Sequence, residues 1–316
     1  MNFIPNLDPM DYLSPDPAVK EKFINDLGDT FSNIGFACVK NHFTPEEEIK
    51  KFYGSVESFF KLPVETKVKY EVTELGGQRG YTSFGREHAK GSDAPDLKEF
   101  WQIGQEVEGD YVSNEHYPAN VQVSEIKDFN RQSMALYRGF ERSGSILLKA
   151  LASYLGLADD YFEPFIKNGN SILRAIHYPP ILHEPKNSIR AEAHEDINLI
   201  TLLVGASAEG LEVKTADGSW LKVNAPENHF VVNVGDMLQR LTNNRLKSTT
   251  HRVVNPPRDK WHTSRFSMPF FLHPVSEMDL TCLPSCIDNT YPSAYPPIIA
   301  GDYLTERLLE IGLIKK

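Results

Sequence analysis

The apolar residues of this 316-residue chain change their period near residue 170. Upstream, they recur every three or four positions. Downstream, short runs rich in Val, Ile, Leu and Phe are separated by turn residues. A period near 3.6 calls for helices, and a period of two calls for strands. The expected fold is therefore mainly β with flanking helices: a helical region over about 1–165, a β core over about 170–275, and a C-terminal helix over about 302–314. Many short strands at this spacing suit a sandwich or barrel. Strands and helices do not alternate, and no G-x-G-x-x-G opens a helix. Both facts disfavour a doubly wound nucleotide-binding sheet.

In more detail, Phe23, Ile24, Leu27 and Phe31 predict a helix over 18–33, started by Asp16-Pro17. GFACVK at 35–40 predicts a strand. Thr44, Pro45 and Glu47 read as a capping box opening a helix that runs to Phe60. Residues 74–98 contain Gly76, Gly77, Gly80, Gly85, Gly91 and Pro95 and are expected to be irregular, as site walls often are. EFWQIG at 99–104 suggests a strand, and 121–155 one long helix. Asp217-Gly218 fits a hairpin turn between LEVKT and SWLKV, and HFVVNVGDMLQRLT reads as one β-rich run.

Net charge is -10, with basic residues scattered among acidic ones. No clustered positive footprint for nucleic acid is expected. The opening MNFIPNLDPMDYLSPDP has no basic stretch followed by an apolar run, and no apolar run is long enough to span a membrane. With only Cys38, Cys282 and Cys286, a disulfide framework is not expected, which fits a reducing compartment. The expected location is cytoplasmic.

Chemistry concentrates in AEAHEDINLITLL. If this is a strand, His194 and Asp196 share a face and Glu195 points away. His251, 57 residues later, heads another β-rich run. Two histidines and a carboxylate can occupy one face of an iron and leave three positions open. Zinc accepts the same ligands, and a His-x-Asp pair alone also fits an internal hydrogen-bonded pair. In SRFSMPFF, Arg265 and Ser267 are i and i+2, a guanidinium and a hydroxyl suited to a carboxylate. Phe266, Met268 and Phe270 would lie on the opposite, buried face. Tyr178 in IHYPP offers another hydroxyl.

These stretches, with LRAIHYPP and GSWLKVNAPENHFVVNVGDMLQRLTNNRLKSTTHRVVNPP, resemble the 2-oxoglutarate/Fe(II)-dependent oxygenases of the isopenicillin N synthase-like family. NIGFACVKNHF and ESFFKLP extend the resemblance over about residues 3–314. It implies one catalytic domain built on a double-stranded β-helix (jelly roll). It implies Fe(II) on His194, Asp196 and His251, and 2-oxoglutarate on Arg265, Ser267 and Tyr178. Many plant members carry Asn where this chain has Ile176. The implied reaction couples O₂ and 2-oxoglutarate to oxidation of an unactivated C–H bond, releasing succinate and CO₂. Isopenicillin N synthase shares the Arg-x-Ser pair without using 2-oxoglutarate, so an oxidative cyclase or another Fe(II) oxidase is an alternative. A noncatalytic or zinc-binding protein of the same fold is a further one.

For the substrate, the 74–98 loop offers Arg79, Tyr81, Phe84 and Arg86, with Trp101 as an apolar wall, and the β core offers Arg174 and Phe270. Arginines on a glycine-rich loop favour a small anionic or zwitterionic molecule. Phe270 fits the buried alternation equally well.

Overall fold

The computed structural model describes residues 3–75, 77–86, 96–106, 118–185, 188–204, 210–226 and 228–310. Gly76, Gly91, Pro95 and the last turn of the expected C-terminal helix lie outside them. The helices are α1 (Pro17–Asn33), α2 (Glu46–Phe60), α3 (Val64–Lys67), α4 (Phe129–Tyr154), α5 (Glu163–Ile166), α6 (Asp236–Leu241) and α7 (Ala300–Glu310). The strands are β1 (Asn6–Leu7), β2 (Phe36–Val39), β3 (Gly80–Thr82), β4 (Glu99–Gly104), β5 (Ile172–Tyr178), β6 (Ala191–His194), β7 (Ile200–Val204), β8 (Leu211–Lys214), β9 (Trp220–Lys222), β10 (Phe230–Val234), β11 (His251–Val253) and β12 (Arg265–Leu272).

The strands form two sheets, an eight-stranded one in the order β1-β2-β10-β7-β12-β5-β4-β3 and a four-stranded one in the order β6-β11-β8-β9. Among the described residues no ladder joins them into a closed barrel. The protein is thus a mixed sheet-and-helix fold. Half of the large sheet, β1 to β4, comes from the first 104 residues, so the N-terminal region is not purely helical. Its helices cover one face of the sheet its own strands complete.

Side-chain alternation sorts the large sheet into two faces. Trp101, Leu173, Ala175, Leu202, Val232, Met268, Phe270 and Leu272 point one way and are buried with Phe52, Phe129, Tyr137 and Phe140 of α2 and α4. Phe36, Cys38 and Val231 point the other way and pack on Ala191, Leu211, Val213 and Val253 of the small sheet. The rest of that second face mixes polar residues, described below, with a small buried group of Phe100, Ile176 and Tyr178. A fully buried aliphatic or aromatic side chain contributes roughly 1.5–3 kcal/mol, so the helix-facing layer dominates stability.

Three local expectations need correction. Asp16 caps α1 as expected, accepting from Ala18 N at 2.9 Å. Thr44 does not cap α2. Pro45 holds the cap position without a side-chain bond, and Thr44 is buried against Gly139 of α4, where a Cβ would meet its hydroxyl at 2.6 Å. The long helix begins at Phe129, not near 121. Asp128 sits at φ 63, and Asn130 bonds both the N–H and the carbonyl of Val123 at 3.1 Å, holding the preceding segment in a non-helical path. The β-rich run from His229 ends at Val234. At Gly235 a Cβ would lie 2.1 Å from Asn198 Oδ1, and the chain turns into α6 there. The Asp217-Gly218 hairpin forms as read, with Gly218 at φ 84. All three cysteines are free. Among the described residues no helix is long and apolar enough to cross a membrane.

Candidate active site

Strand β6 ends at His194, so Asp196 lies just past it and not on the same strand face. The reason the two still converge is the loop that follows. The α6 start donates Asp236 N to the Asp196 carbonyl at 2.8 Å and Met237 N to the Asn198 carbonyl at 3.1 Å. Gly235 permits this approach. β11 pairs with β6 so that His251 lies opposite His194. Asp196 Oδ1 then stands 3.8 Å from His194 Nε2 and 3.7 Å from His251 Nε2. One ligand atom from each residue lies within 4.8 Å of the others.

The donor set fits a metal. His194 Nδ1 bonds the Glu192 carbonyl at 2.6 Å and His251 Nδ1 bonds the Thr249 carbonyl at 3.2 Å. A carbonyl only accepts, so each Nδ1 carries the proton and each Nε2 presents a lone pair. Asp196 Oδ2 accepts from Thr201 at 2.6 Å and Asn233 at 2.8 Å, which leaves Oδ1 for the metal side. Burial works against the Asp196 charge, but His251, His194 and the Asn233 and Thr201 bonds outweigh it and hold its pKa below the usual value. Burial pushes His251 below its ordinary pKa, with Asp196 opposing, so the ring is neutral near pH 7. Ligand atoms about 2.0–2.2 Å from one ion must lie roughly 3–4 Å apart, as Asp196 Oδ1 does from each histidine Nε2.

A cavity of about 640 Å³ opens beside His194 and Asp196. Its walls include Gln102, Arg174 and Phe271 of the large sheet, Asp236 and Arg240 of α6, and Tyr303 and Arg307 of α7. Arg174 donates to Gln102 at 2.8 Å and lies 4.1 Å over Phe100. Tyr303 donates to Asp236 at 2.8 Å. Burial pushes Asp236 up to about 7, with Glu195 and Asp196 adding and Tyr303 and Arg307 opposing.

Arg265 and Ser267, each 5% exposed, share the inner face of β12. Register sets Arg265 opposite Tyr178, and its guanidinium lies 4.9 Å from that ring. This trio and His251 are not in the cavity lining, whereas His194, Asp196 and Arg174 are. The other substrate candidates are placed outside the cavity lining. Arg79 is buried, donating to the Gln78 and Pro118 carbonyls and packed on Gly104. Tyr81 is buried and bonds Glu99. Phe270 is fully buried against Tyr137 and Phe140, as the apolar alternation allowed. Phe84 and Arg86 are exposed, Arg86 pairing with Glu71. None of these five lines the cavity. The sequence reading missed Thr201, Asn233, Gln102, Arg240 and Tyr303. Thr201 lies within the AEAHEDINLITLL stretch itself, but the contacts of the others depend on which strands and helices become neighbours, and spacing carries no trace of that.

The comparisons agree with this geometry. A family model for the 2OG-Fe(II) oxygenase superfamily matches residues 169–274, and one described as non-haem dioxygenase in morphine synthesis, N-terminal, matches 4–125. A 2-oxoglutarate-Fe(II) type oxidoreductase of Emericella nidulans, hxnY, is 31% identical, covering 94% of this chain and 87% of the relative. The chain belongs to the 2-oxoglutarate/Fe(II) oxygenase superfamily. The oxygenase is also similar to the proline hydroxylase buaE of Petromyces alliaceus, at 32% identity over 97% of this chain and 99% of that one. A Caulobacter crescentus structure from the 2OG-Fe(II) oxygenase family superposes with a TM-score of 0.88 at 42% identity, covering 98% and 100% of the two chains. A Neurospora crassa enzyme solved with alpha-KG and thymine gives 0.85 at 30% identity, covering 97% of each. With its two-histidine, one-carboxylate group, the oxygenase is an Fe(II)- and 2-oxoglutarate-dependent dioxygenase.

Proposed function

We propose that the enzyme hydroxylates a small anionic or zwitterionic metabolite held in the cavity beside His194 and Asp196. The observation that carries this reading is the convergence of His194 Nε2, His251 Nε2 and Asp196 Oδ1, two of which, from His194 and Asp196, belong to residues of the cavity wall. In this reading these three atoms hold Fe(II) on one face. When bound, the iron supplies the redox chemistry that couples 2-oxoglutarate and O₂ to C–H oxidation, with succinate and CO₂ released. Arg265 and Ser267 bind the distal carboxylate of 2-oxoglutarate, with Tyr178 alongside. A guanidinium paired with a carboxylate in a water-poor site is both strong and directional.

The substrate side rests on Arg174, Arg240 and Lys98, which bring cationic groups to the cavity, and on Phe271, Tyr295 and Tyr303, which add aromatic walls. Phe84 and Arg86 remain candidates as exposed residues outside the cavity lining. The two sheets are read as the layers of a double-stranded β-helix. The whole chain is read as one catalytic domain, because β1 to β4 complete the sheet that carries Arg174 and Arg265.

The test is a metabolite screen with anaerobically loaded Fe(II) protein, then O₂ and 2-oxoglutarate, reading succinate and substrate mass together. A gain of one oxygen matched by succinate is the expected result. Turnover without succinate would reject 2-oxoglutarate coupling in favour of cyclase-type oxidation. Turnover of neutral substrates alone would reject the charge assignment.

A further inference from the structure

We infer that His177 is a positioning residue for the 2-oxoglutarate clamp, acting through a hydrogen-bonded strut behind Arg265 and Tyr178. The inference rests on the reading that Arg265 and Tyr178 hold the cosubstrate. His177 points to the helix side of β5, away from the cavity, so it cannot touch the cosubstrate itself. Its Nδ1 donates to Glu99 Oε1 at 2.7 Å, and its Nε2 is hydrogen-bonded to the Ser264 hydroxyl at 3.1 Å. Ser264 is the residue before Arg265, and His177 is the residue before Tyr178. Register places Glu99, His177 and Phe266 side by side across β4, β5 and β12. The imidazole therefore ties the end of β5 and the start of β12, which carry the clamp, to the start of β4.

The far end of the strut is fixed as well. Glu99 is gripped by Lys67 Nζ at 2.8 and 3.0 Å and by the Tyr81 hydroxyl. Lys67 also donates to the Phe60 carbonyl at 3.2 Å, which anchors the chain of bonds to the end of α2. The His177 ring stacks on Phe266 with centroids 4.8 Å apart and planes 13° apart. Lys67 and Glu99 are both deeply buried. Replacing a buried ion pair by well-packed apolar residues is often neutral or stabilising. What hydrogen bonds add here is direction: they fix the ring and, through it, the strand ends. Misplacement of a binding group by about 1 Å can cost roughly 100-fold, so partial loosening of β12 at Ser264 should be visible in cosubstrate affinity.

The experiment measures 2-oxoglutarate binding by calorimetry to anaerobic Fe(II)-loaded enzyme, with thermal melting and the KM–kcat split for 2-oxoglutarate. His177→Phe keeps the stacked ring and removes both hydrogen bonds. Ser264→Ala removes one bond at an exposed position. We expect Kd to rise about 10-fold in H177F and about 3-fold in S264A, as a fraction of the full misplacement penalty. Iron binding and kcat at saturating 2-oxoglutarate should stay within about 2-fold by the same reasoning, since no ligand moves. Arg265→Ala is the reference. Unchanged affinity in R265A would reject the clamp reading itself. Weakened R265A with wild-type affinity in H177F and S264A would reject the strut. A fall in melting temperature and kcat with unchanged Kd in H177F would also reject it, leaving a purely structural residue. If H177F does not fold, S264A decides alone.

Discussion

On the helix-facing side of the large sheet, Leu173, Leu202, Phe270 and Leu272 are fully buried in a continuous apolar layer. One residue along each of the same strands, the opposite side carries Arg174, Thr201, Phe271 and His273. The two sides share backbone, register and twist, and differ in what each buried atom must find. An apolar side chain needs volume and close packing. A buried guanidinium, carboxylate or amide needs partners, because leaving one unmet costs about 1–3 kcal/mol. Thr201 and Asn233 supply them for Asp196, and Gln102 for Arg174. Strand alternation thus lets one sheet be a core on one side and a reaction site on the other. It also predicts that substitutions on the two sides fail in different ways.

The largest effect should come from the three converging residues. His194→Ala, Asp196→Ala or His251→Ala should abolish succinate-coupled turnover while the protein stays folded by circular dichroism. Asp196→Glu should lose about 100-fold, since its carboxylate moves by about 1 Å. Full activity in all three alanine variants would remove this ligand group from the chemistry. Next, Arg265→Ala should weaken 2-oxoglutarate binding by at least about 30-fold, corresponding to the roughly 2–5 kcal/mol lost when one partner of a buried charge pair is deleted. Iron affinity should hold. Asn233→Ala should lower iron affinity about 10–100-fold, as loss of an outer ligand partner does, with little change in 2-oxoglutarate binding at saturating iron.

The helix-facing side should behave oppositely. Phe270→Ala should cost about 3–5 kcal/mol in denaturant unfolding, yet leave the KM for 2-oxoglutarate and substrate unchanged in the folded enzyme. A selective KM change in this variant would blur the division between the two faces.

A smaller, pH-dependent difference should come from His273 on the site side. Burial lowers its pKa to about 4, below an unfolded value near 6.5. Between those values the unfolded chain binds more protons. Its contribution is therefore intact above about pH 6.5 and lost as pH falls toward 4. His273→Gln should flatten the stability profile in that window, and an unchanged slope would contradict the assignment.

How much of this could be read without coordinates follows the same division. The buried alternation of SRFSMPFF correctly separates Met268 and Phe270 from Arg265 and Ser267, because a two-residue period is local information. The grouping of His194, Asp196 and His251 was also legible. Its stated reason was not, since Asp196 is brought in by the α6 turn at Gly235 and not by strand alternation. Arg79 and Tyr81 read as site-wall residues because the glycines around them suggest an irregular segment, whereas both are drawn inward to Gly104 and Glu99. Gln102, Asn233 and Tyr303 depend on which strands and helices become neighbours, which spacing does not encode.

The central claim is that the polar face of the large sheet and the β6 and β11 strands of the small sheet together form an iron and 2-oxoglutarate site. It is tested most directly by calorimetric titration of the anaerobic protein with Fe(II) and then 2-oxoglutarate, in the wild type and in His251→Ala. The account predicts about one Fe(II) per chain, as expected for a single facial ligand set. It also predicts 2-oxoglutarate binding that requires the iron, with both lost or sharply weakened in the variant. Tight 2-oxoglutarate binding without Fe(II), or iron binding untouched by His251→Ala, would contradict it.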